Sequence, residues 1–185
     1  MPSKSSRRPD VRRISLEPSE GFPAIEGTDA RLLVLGSLPG QRSLAERQYY
    51  AHPRNAFWRI MKDVLGVTGS YEQRCKQLVA QRVALWDVLA SSVRPGSLDA
   101  DIKLDSARAN DFTAFFTRHP ELHTIAFNGK RAEQLFTRFV GVDTVSEPIQ
   151  LISLPSTSPA YAALPFAAKL AAWRSAITTA TQKME

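Results

Sequence analysis

Cysteine, histidine and long apolar runs are what this chain has least of. Cys75 is the single cysteine among 185 residues, so no disulfide can close within the chain and no cysteine-based zinc site is available. A reducing compartment is the matching expectation. The three histidines, His52, His119 and His123, lack metal-ligand spacing, so neither a metal nor a cofactor is expected. No stretch approaches the ~18 consecutive apolar residues of a membrane span. The N-terminus, MPSKSSRRPDVRR, carries charge without the apolar centre of a secretory signal. The expectation is a cytoplasmic monomer with no membrane partner. GxxxxGK followed by Ser or Thr, GxGxxG and GxSxG are all missing, which disfavours a nucleotide triphosphatase, a dinucleotide enzyme and a serine hydrolase.

What the chain does have is 43% hydrophobic residues and a formal charge of +6. At this length the apolar content supports one self-sufficient core. Lys4, Arg7, Arg8, Arg12 and Arg13 fall among Ser and Pro with no apolar periodicity, so residues 1–30 read as a basic, flexible arm. Such an arm suits either phosphates or plain solubility. From residue 31 short apolar runs alternate with helical periodicity. Arg31–Leu35, Val83–Trp86, Thr124–Phe127 and Gln150–Ser153 read as strands, and the polar stretch Asp87–Ile102 reads as a loop. Helices are expected over Asn55–Leu65, around Tyr71–Val79, around Ala109–Phe116, around Ala132–Phe139 and around Phe166–Ile177. Strands alternating with helices imply a parallel sheet covered on both faces, in one domain over residues 31–180.

Open α/β sheets bind ligands beyond the carboxyl ends of their strands. Four corners therefore carry the candidate chemistry. The first, GSLPG (Gly36, Ser37, Leu38, Pro39, Gly40), can bring main-chain N–H groups close to a base or a phosphate, although an ordinary turn explains it as well. Further along, YYAHPRNAFW sets Tyr49, Tyr50, His52 and Asn55 before a periodic helix. Its aromatic rings can stack on a base or pack the rim, and the position of Asn55 favours a helix N-cap. Asp87 ends the second strand, where it can orient a base or a water or cap a turn. The pair Asn128 and Gly129 closes the third strand. After the fourth, LPSTSPA offers the hydroxyls of Ser156, Thr157 and Ser158 to phosphate oxygens, or else caps the last helix.

Taken in order, GSLPGQRSL, YYAHPRNAFW, LWDVLASSVRPGSLDADIK, AFNGKRAEQLF and LPSTSPA resemble the uracil-DNA glycosylase superfamily, and within it the hypoxanthine (deoxyinosine) branch. The resemblance covers about Leu32 to Trp173. It implies a three-layer α/β/α sandwich with a four-stranded parallel sheet and metal-independent hydrolysis of the bond between base and sugar. Its uracil-specific branches carry Asp or Asn in the first motif and His or Asn at the start of the last. Leu38 and Leu154 match those positions here and cannot polarise water. The resemblance instead assigns catalysis to Asn55, stacking on the flipped base to Tyr50, and the grip on the DNA strand to Ser156–Ser158. Gly36 to Gly40, His52, Asp87 and Asn128 complete the expected base-binding set.

The expected activity is release of hypoxanthine from deoxyinosine in DNA, leaving an abasic site. No lysine stands in the corners as a Schiff-base nucleophile, so cleavage of the strand is not expected. Uracil or mixed specificity, a DNA-binding module without catalysis, and a hydrolase of free nucleosides are the competing readings.

Overall fold

The computed structural model describes residues 17–145 and 148–182. In chain order the elements are β1 (Ser19–Glu20), β2 (Leu32–Gly36), α1 (Gln41–Glu46), α2 (Phe57–Leu65), α3 (Tyr71–Ala80), β3 (Val83–Asp87), β4 (Leu89–Ser92), β5 (Arg108–Ala109), α4 (Phe112–Arg118), β6 (Thr124–Asn128), α5 (Lys130–Phe139), β7 (Gln150–Leu154) and α6 (Phe166–Gln182). Three 3₁₀ turns, Asp99–Asp101, Leu104–Ser106 and Val142–Thr144, lie between them. The main sheet is parallel with the order β3-β2-β6-β7.

The apolar runs read as strands are continuous rather than alternating because both faces of the sheet are covered. Leu33, Leu35, Ala84, Trp86, Ile125 and Phe127 pack with Phe112 and Phe115 of α4 and Leu135 and Phe136 of α5. On the opposite face Leu32, Val34, Val83, Leu85 and Ala126 pack with α2, α3 and α6 through Phe57, Ile60, Met61, Leu78, Trp173 and Ile177. The three layers expected from the sequence are present. Register then sets the site, because Gly36 pairs level with Asp87 and Asn128 level with Leu154. The carboxyl ends of all four strands meet along one edge.

The structure departs from the sequence reading in three places. Residues 1–16 of the expected arm lie outside the described residues, but the arm does not extend to residue 30. Ser19 and Glu20 pair antiparallel with Ser92 and Ser91, and Ile25 bridges Leu85. The Trp86 indole donates to the Phe22 carbonyl at 3.1 Å, and the Phe22 ring stands edge-on to Tyr49. The stretch after Asp87 is not all loop, since it holds β4, the centre of the three-stranded sheet β1-β4-β5. Val88 and Leu89 donate their N–H groups to the carbonyls of Gly36 and Ser37, which keeps the chain extended past β3. Helix α1 went unanticipated because its six residues bury only Ser43 and so show no apolar stripe.

Candidate active site

The loop after β2 is shaped by two contacts that the sequence does not advertise. Gly36 has no side chain because the Asp87 carboxyl fills that space: a Cβ there would sit 2.2 Å from Oδ1 of Asp87 and 3.1 Å from the Tyr50 hydroxyl. Beyond it, the carbonyls of Leu38 and Pro39 both accept from the Arg94 guanidinium, the first at 3.1 Å. With its carbonyls held on that side, no described residue accepts from the main-chain N–H groups of Ser37, Leu38 or Gly40. Leu38 is itself a core side chain, only 5% exposed, so its contribution to any ligand is main-chain. Ser37 donates from its hydroxyl to Oδ1 of Asp99 at 2.6 Å.

Buried Arg94 and Asp87 stand near Asp99, whose side chain is partly exposed. Arg94 Nη1 lies 3.7 Å from Oδ1 of Asp99, and the Arg94 side chain is wholly enclosed. Burial lowers the guanidinium's proton affinity, and Asp99, Asp87 and Asp101 oppose that shift. Asp87 is 3% exposed. Burial first, then the charge of Asp99, pushes its carboxyl up to about 8, against the pull of Arg94. Oδ2 of Asp87 has no hydrogen-bond partner among the described residues, while the Tyr50 hydroxyl interacts with the Asn128 side chain. Burial also pushes the Tyr50 and Tyr49 hydroxyls well above their ordinary range, with Asp87 adding to both.

Tyr50 and Asn55 arrive from the segment before α2. Tyr50 takes φ 55°, a left-handed conformation that a bulky residue adopts only when its surroundings hold it. Its ring stacks on Phe57 at 4.2 Å between centroids. On either side, Trp58 Nε1 donates to the Tyr49 carbonyl at 2.8 Å, and Ala51 N–H donates to the Ser43 hydroxyl at 3.2 Å. Asn55 accepts from Phe57 N–H through Oδ1 at 3.0 Å, an Asx turn that fixes the side chain at the start of α2. Asn55 is not the N-cap, which is Ala56 with no side-chain cap bond, but it does satisfy an N–H at the start of the helix, and this leaves Nδ2 without a described partner. Nδ1 of His52 accepts from Arg54 N–H at 3.1 Å, which places the proton of the neutral ring on Nε2.

At the other end of the strand edge the Asn128 side chain and Thr157 are bonded to one another. Asn128 accepts from Thr157 N–H at 2.8 Å and donates to Thr157 Oγ1 at 2.9 Å. The Thr157 carbonyl accepts from Ala56 N–H at 3.0 Å, tying the loop after β7 to the start of α2. Gly129, at φ 95°, lets this loop lie close, since a Cβ there would be 2.8 Å from Cβ of Ser156. Trp173 of α6 donates to the Pro155 carbonyl. One expectation changes as a result. Thr157 is 1% exposed, so its hydroxyl cannot reach a phosphate. Asn128 holds the loop through both ends of its carboxamide, with one amide hydrogen not taken by Thr157. Ser156 and Ser158 are half-buried, and their oxygens accept from Ser158 N–H and Ala160 N–H, leaving each hydroxyl proton free to donate.

Sequence reasoning missed Arg94, Asp99 and Asn110, whose Nδ2 donates to the Asp87 carbonyl at 2.8 Å. An arginine following the small residues of LASSV was the only available signal, and it is a faint one. A cleft of about 1140 Å³ borders this region through Tyr49 and Arg94 but runs outward along Glu17–Pro23 and Tyr71. Among the described residues no cluster of three or more His, Cys, Asp and Glu side chains is placed to hold a metal ion, and no helix is long and apolar enough to cross a membrane.

Residues 22–177 match the family described as the Uracil DNA glycosylase superfamily. The chain is 38% identical to a hypoxanthine DNA glycosylase of Methanosarcina acetivorans over 115 residues, which is 60% of this chain and 72% of that relative. It is 34% identical to a hypoxanthine DNA glycosylase of Methanosarcina barkeri over 130 residues, 68% of this chain and 81% of the relative. The solution NMR structure of a candidate uracil DNA glycosylase from Methanosarcina acetivorans superposes with a TM-score of 0.69 at 32% identity, covering 86% of this chain and 98% of that one.

Proposed function

The chain belongs to the Uracil DNA glycosylase superfamily, and on that premise we propose that it is a monofunctional DNA glycosylase that releases hypoxanthine from deoxyinosine. DNA is the partner that the family brings. The pair of relatives named for hypoxanthine, at 38% and 34% identity, is the observation that carries the choice of base.

The site supports this chemistry without an ionised catalytic acid. A glycosylase must extrude its base, and a poorly paired base such as hypoxanthine is easier to flip than a well-matched one. When the bond between C1′ and N9 breaks, its electron pair goes to the purine and positive charge develops on the sugar. A water oxygen then bonds to C1′ and gives up a proton, the base takes up a proton, and an abasic deoxyribose remains. In this reading Asn55, immobilised by its hydrogen bond to Phe57 N–H, orients the water or the developing sugar cation through its carboxamide dipole. The N–H groups of Ser37, Leu38 and Gly40 face the base, where fixed dipoles stabilise developing negative charge. Tyr50 stacks on the purine, and Ser156 and Ser158 donate to the DNA backbone.

Leu38 and Leu154, 5% and 6% exposed, are part of the core and offer no polar side chain where the uracil-specific branches have one. That favours a purine over uracil. A uracil-directed activity is the second reading, motivated by the structural relative at 32% identity. Matched duplexes carrying one deoxyinosine or one deoxyuridine, incubated with the protein and then treated with alkali, separate the two. The expected outcome is strand breaks at deoxyinosine. Breaks only at deoxyuridine would move the assignment to uracil, and salt-dependent binding with no breaks at either base would leave a DNA-binding module.

A further inference from the structure

We infer that Arg59 and Lys169 form a binding site for phosphates of the DNA backbone, at the seam between α2 and α6 beside the loop after β7. The inference rests on DNA being the partner, as read above, and places charge outside the four strand-end corners.

The seam carries one sign of charge. Residues 54–65 and 155–182 hold Arg54, Arg59, Lys62, Lys169 and Arg174 against a single carboxylate, that of Asp63. None of the five cations has an ion-pair partner among the described residues. Elsewhere the protein pairs its cations, as Arg31 does with Glu121, Lys76 with Glu72 and Arg82 with Asp29. Like charges gathered without a counter-charge oppose folding, and a bound polyanion relieves that cost.

Two of the five are fixed in place. The guanidinium of Arg59, an exposed residue of α2, lies 3.7 Å over the ring of Phe166, which opens α6. That contact holds the group by its face and takes none of its N–H donors. Lys169, 6% exposed, donates from its ammonium to the Tyr161 carbonyl at 2.6 Å and sits 5.1 Å over the Tyr161 ring. One of its three donors is used. Burial lowers its proton affinity, and no carboxylate opposes that shift. It also stands near the start of α6, where the helix dipole disfavours a cation. An enclosed cation needs a counter-ion, and the chain supplies none. A phosphodiester supplies it from outside.

The surrounding contacts say where that phosphodiester lies. Tyr161 N–H donates to the Ser158 carbonyl at 3.1 Å, so the Lys169 latch and the hydroxyls of Ser156 and Ser158 belong to one loop. Through Thr157 and Ala56 the same loop is tied to the start of α2, three residues before Arg59. Cations from two helices thus flank a pair of hydroxyl donors, which suits the backbone of one strand. Phosphate contacts carry no sequence information, so this site grips DNA whether or not a lesion is present.

The test is duplex affinity by fluorescence anisotropy between about 50 mM and 200 mM salt, on duplexes with and without one deoxyinosine. Arg59→Gln and Lys169→Gln remove the charge, and the glutamine at 169 keeps a donor for the Tyr161 carbonyl. Each should flatten the plot of log affinity against log salt by about 0.9 and weaken both duplexes alike, by about eightfold at about 0.1 M salt. Arg59→Lys and Lys169→Arg should keep the wild-type slope. So should Arg82→Gln, which lies just before β3 at the opposite edge of the sheet. A wild-type slope in either Gln variant overturns the proposal, whatever the affinity, and so does a loss confined to the deoxyinosine duplex. Release of hypoxanthine is judged separately. A wild type that releases none, yet shows these slope differences, loses the glycosylase assignment and keeps the phosphate site.

Discussion

At the β6–β7 end of the strand edge, the Asn128 carboxamide engages Thr157 through both its donor and its acceptor, and Thr157 passes the connection to Ala56 at the start of α2. At the β3 end, Asp87 buries an Oδ2 that no described residue satisfies, beside an enclosed arginine. The two ends lie on one sheet with β2 between them, and the first is the more fully bonded. Full satisfaction makes a rigid clamp, which suits a group that must hold a DNA-gripping loop in place. Incomplete satisfaction costs stability and leaves donors in reserve, which suits a group that meets a ligand. Positioning and chemistry are thus divided between strands on either side of β2.

Neutralising Asp87 sharpens this contrast most. The folded protein binds the Asp87 proton more tightly than the unfolded chain does, because its pKa rises from 3.8 to about 8. Between about pH 4 and pH 8 the folded state therefore holds the extra proton. Stability falls as pH rises through that window, and the cost is complete above it. Asp87→Asn has no proton to lose. Its urea-unfolding free energy should exceed that of the wild type by a gap that widens from pH 5 to pH 8, by on the order of 4 kcal/mol, and then levels off. A gap independent of pH would mean that the carboxyl is ionised in the folded protein.

Removing the arginine probes the same end from the other side. Arg94→Met leaves the Leu38 and Pro39 carbonyls without a donor and Asp99 without its cation, so a loss of about 3 kcal/mol is expected by denaturant unfolding. A loss under about 0.5 kcal/mol would show that the first loop does not depend on Arg94. At the clamp, Asn128→Ala orphans Thr157 N–H and should cost about 2 kcal/mol, while single-turnover excision at saturating DNA falls less than tenfold. Excision slower by about a hundredfold would break the comparison, because Asn128 would then be touching the base. The smallest effect belongs to Ser158→Ala: stability within about 0.5 kcal/mol, and duplex affinity down about threefold for one lost phosphate bond, read by fluorescence anisotropy at fixed salt. Unchanged affinity would take Ser158 off the DNA path.

The fold was legible because burial on both faces writes strands such as Leu32–Leu35 and Thr124–Phe127 as unbroken apolar runs, and because α2 and α5 carry clear stripes. The site was legible in part. Gly36, Tyr50, Asn55, Asp87 and Asn128 stand in short corners after strands or before a helix, where local sequence and position coincide. Arg94, Asp99 and Asn110 were not, since their roles come from tertiary placement of a long excursion between β3 and α4. Thr157 and Asn128 show the same limit from the other side, because one text of small polar residues serves equally for a phosphate grip and for an internal clamp. Only burial decides between them, and burial is a property of the folded chain. The pairing of Ser19 and Glu20 with β4 was hidden too: two residues are too few to show a strand's alternation.

The division of labour depends on Asn55 acting beyond its Asx turn, and Asn55→Ala tests that directly. Losing that hydrogen bond costs roughly 1 kcal/mol of stability, which leaves a folded protein whose single-turnover release of hypoxanthine from a deoxyinosine duplex can be measured. A rate lower by about a thousandfold, with DNA binding retained, is the expected result. Release at the wild-type rate would contradict the account and remove the Asn55 carboxamide from the mechanism.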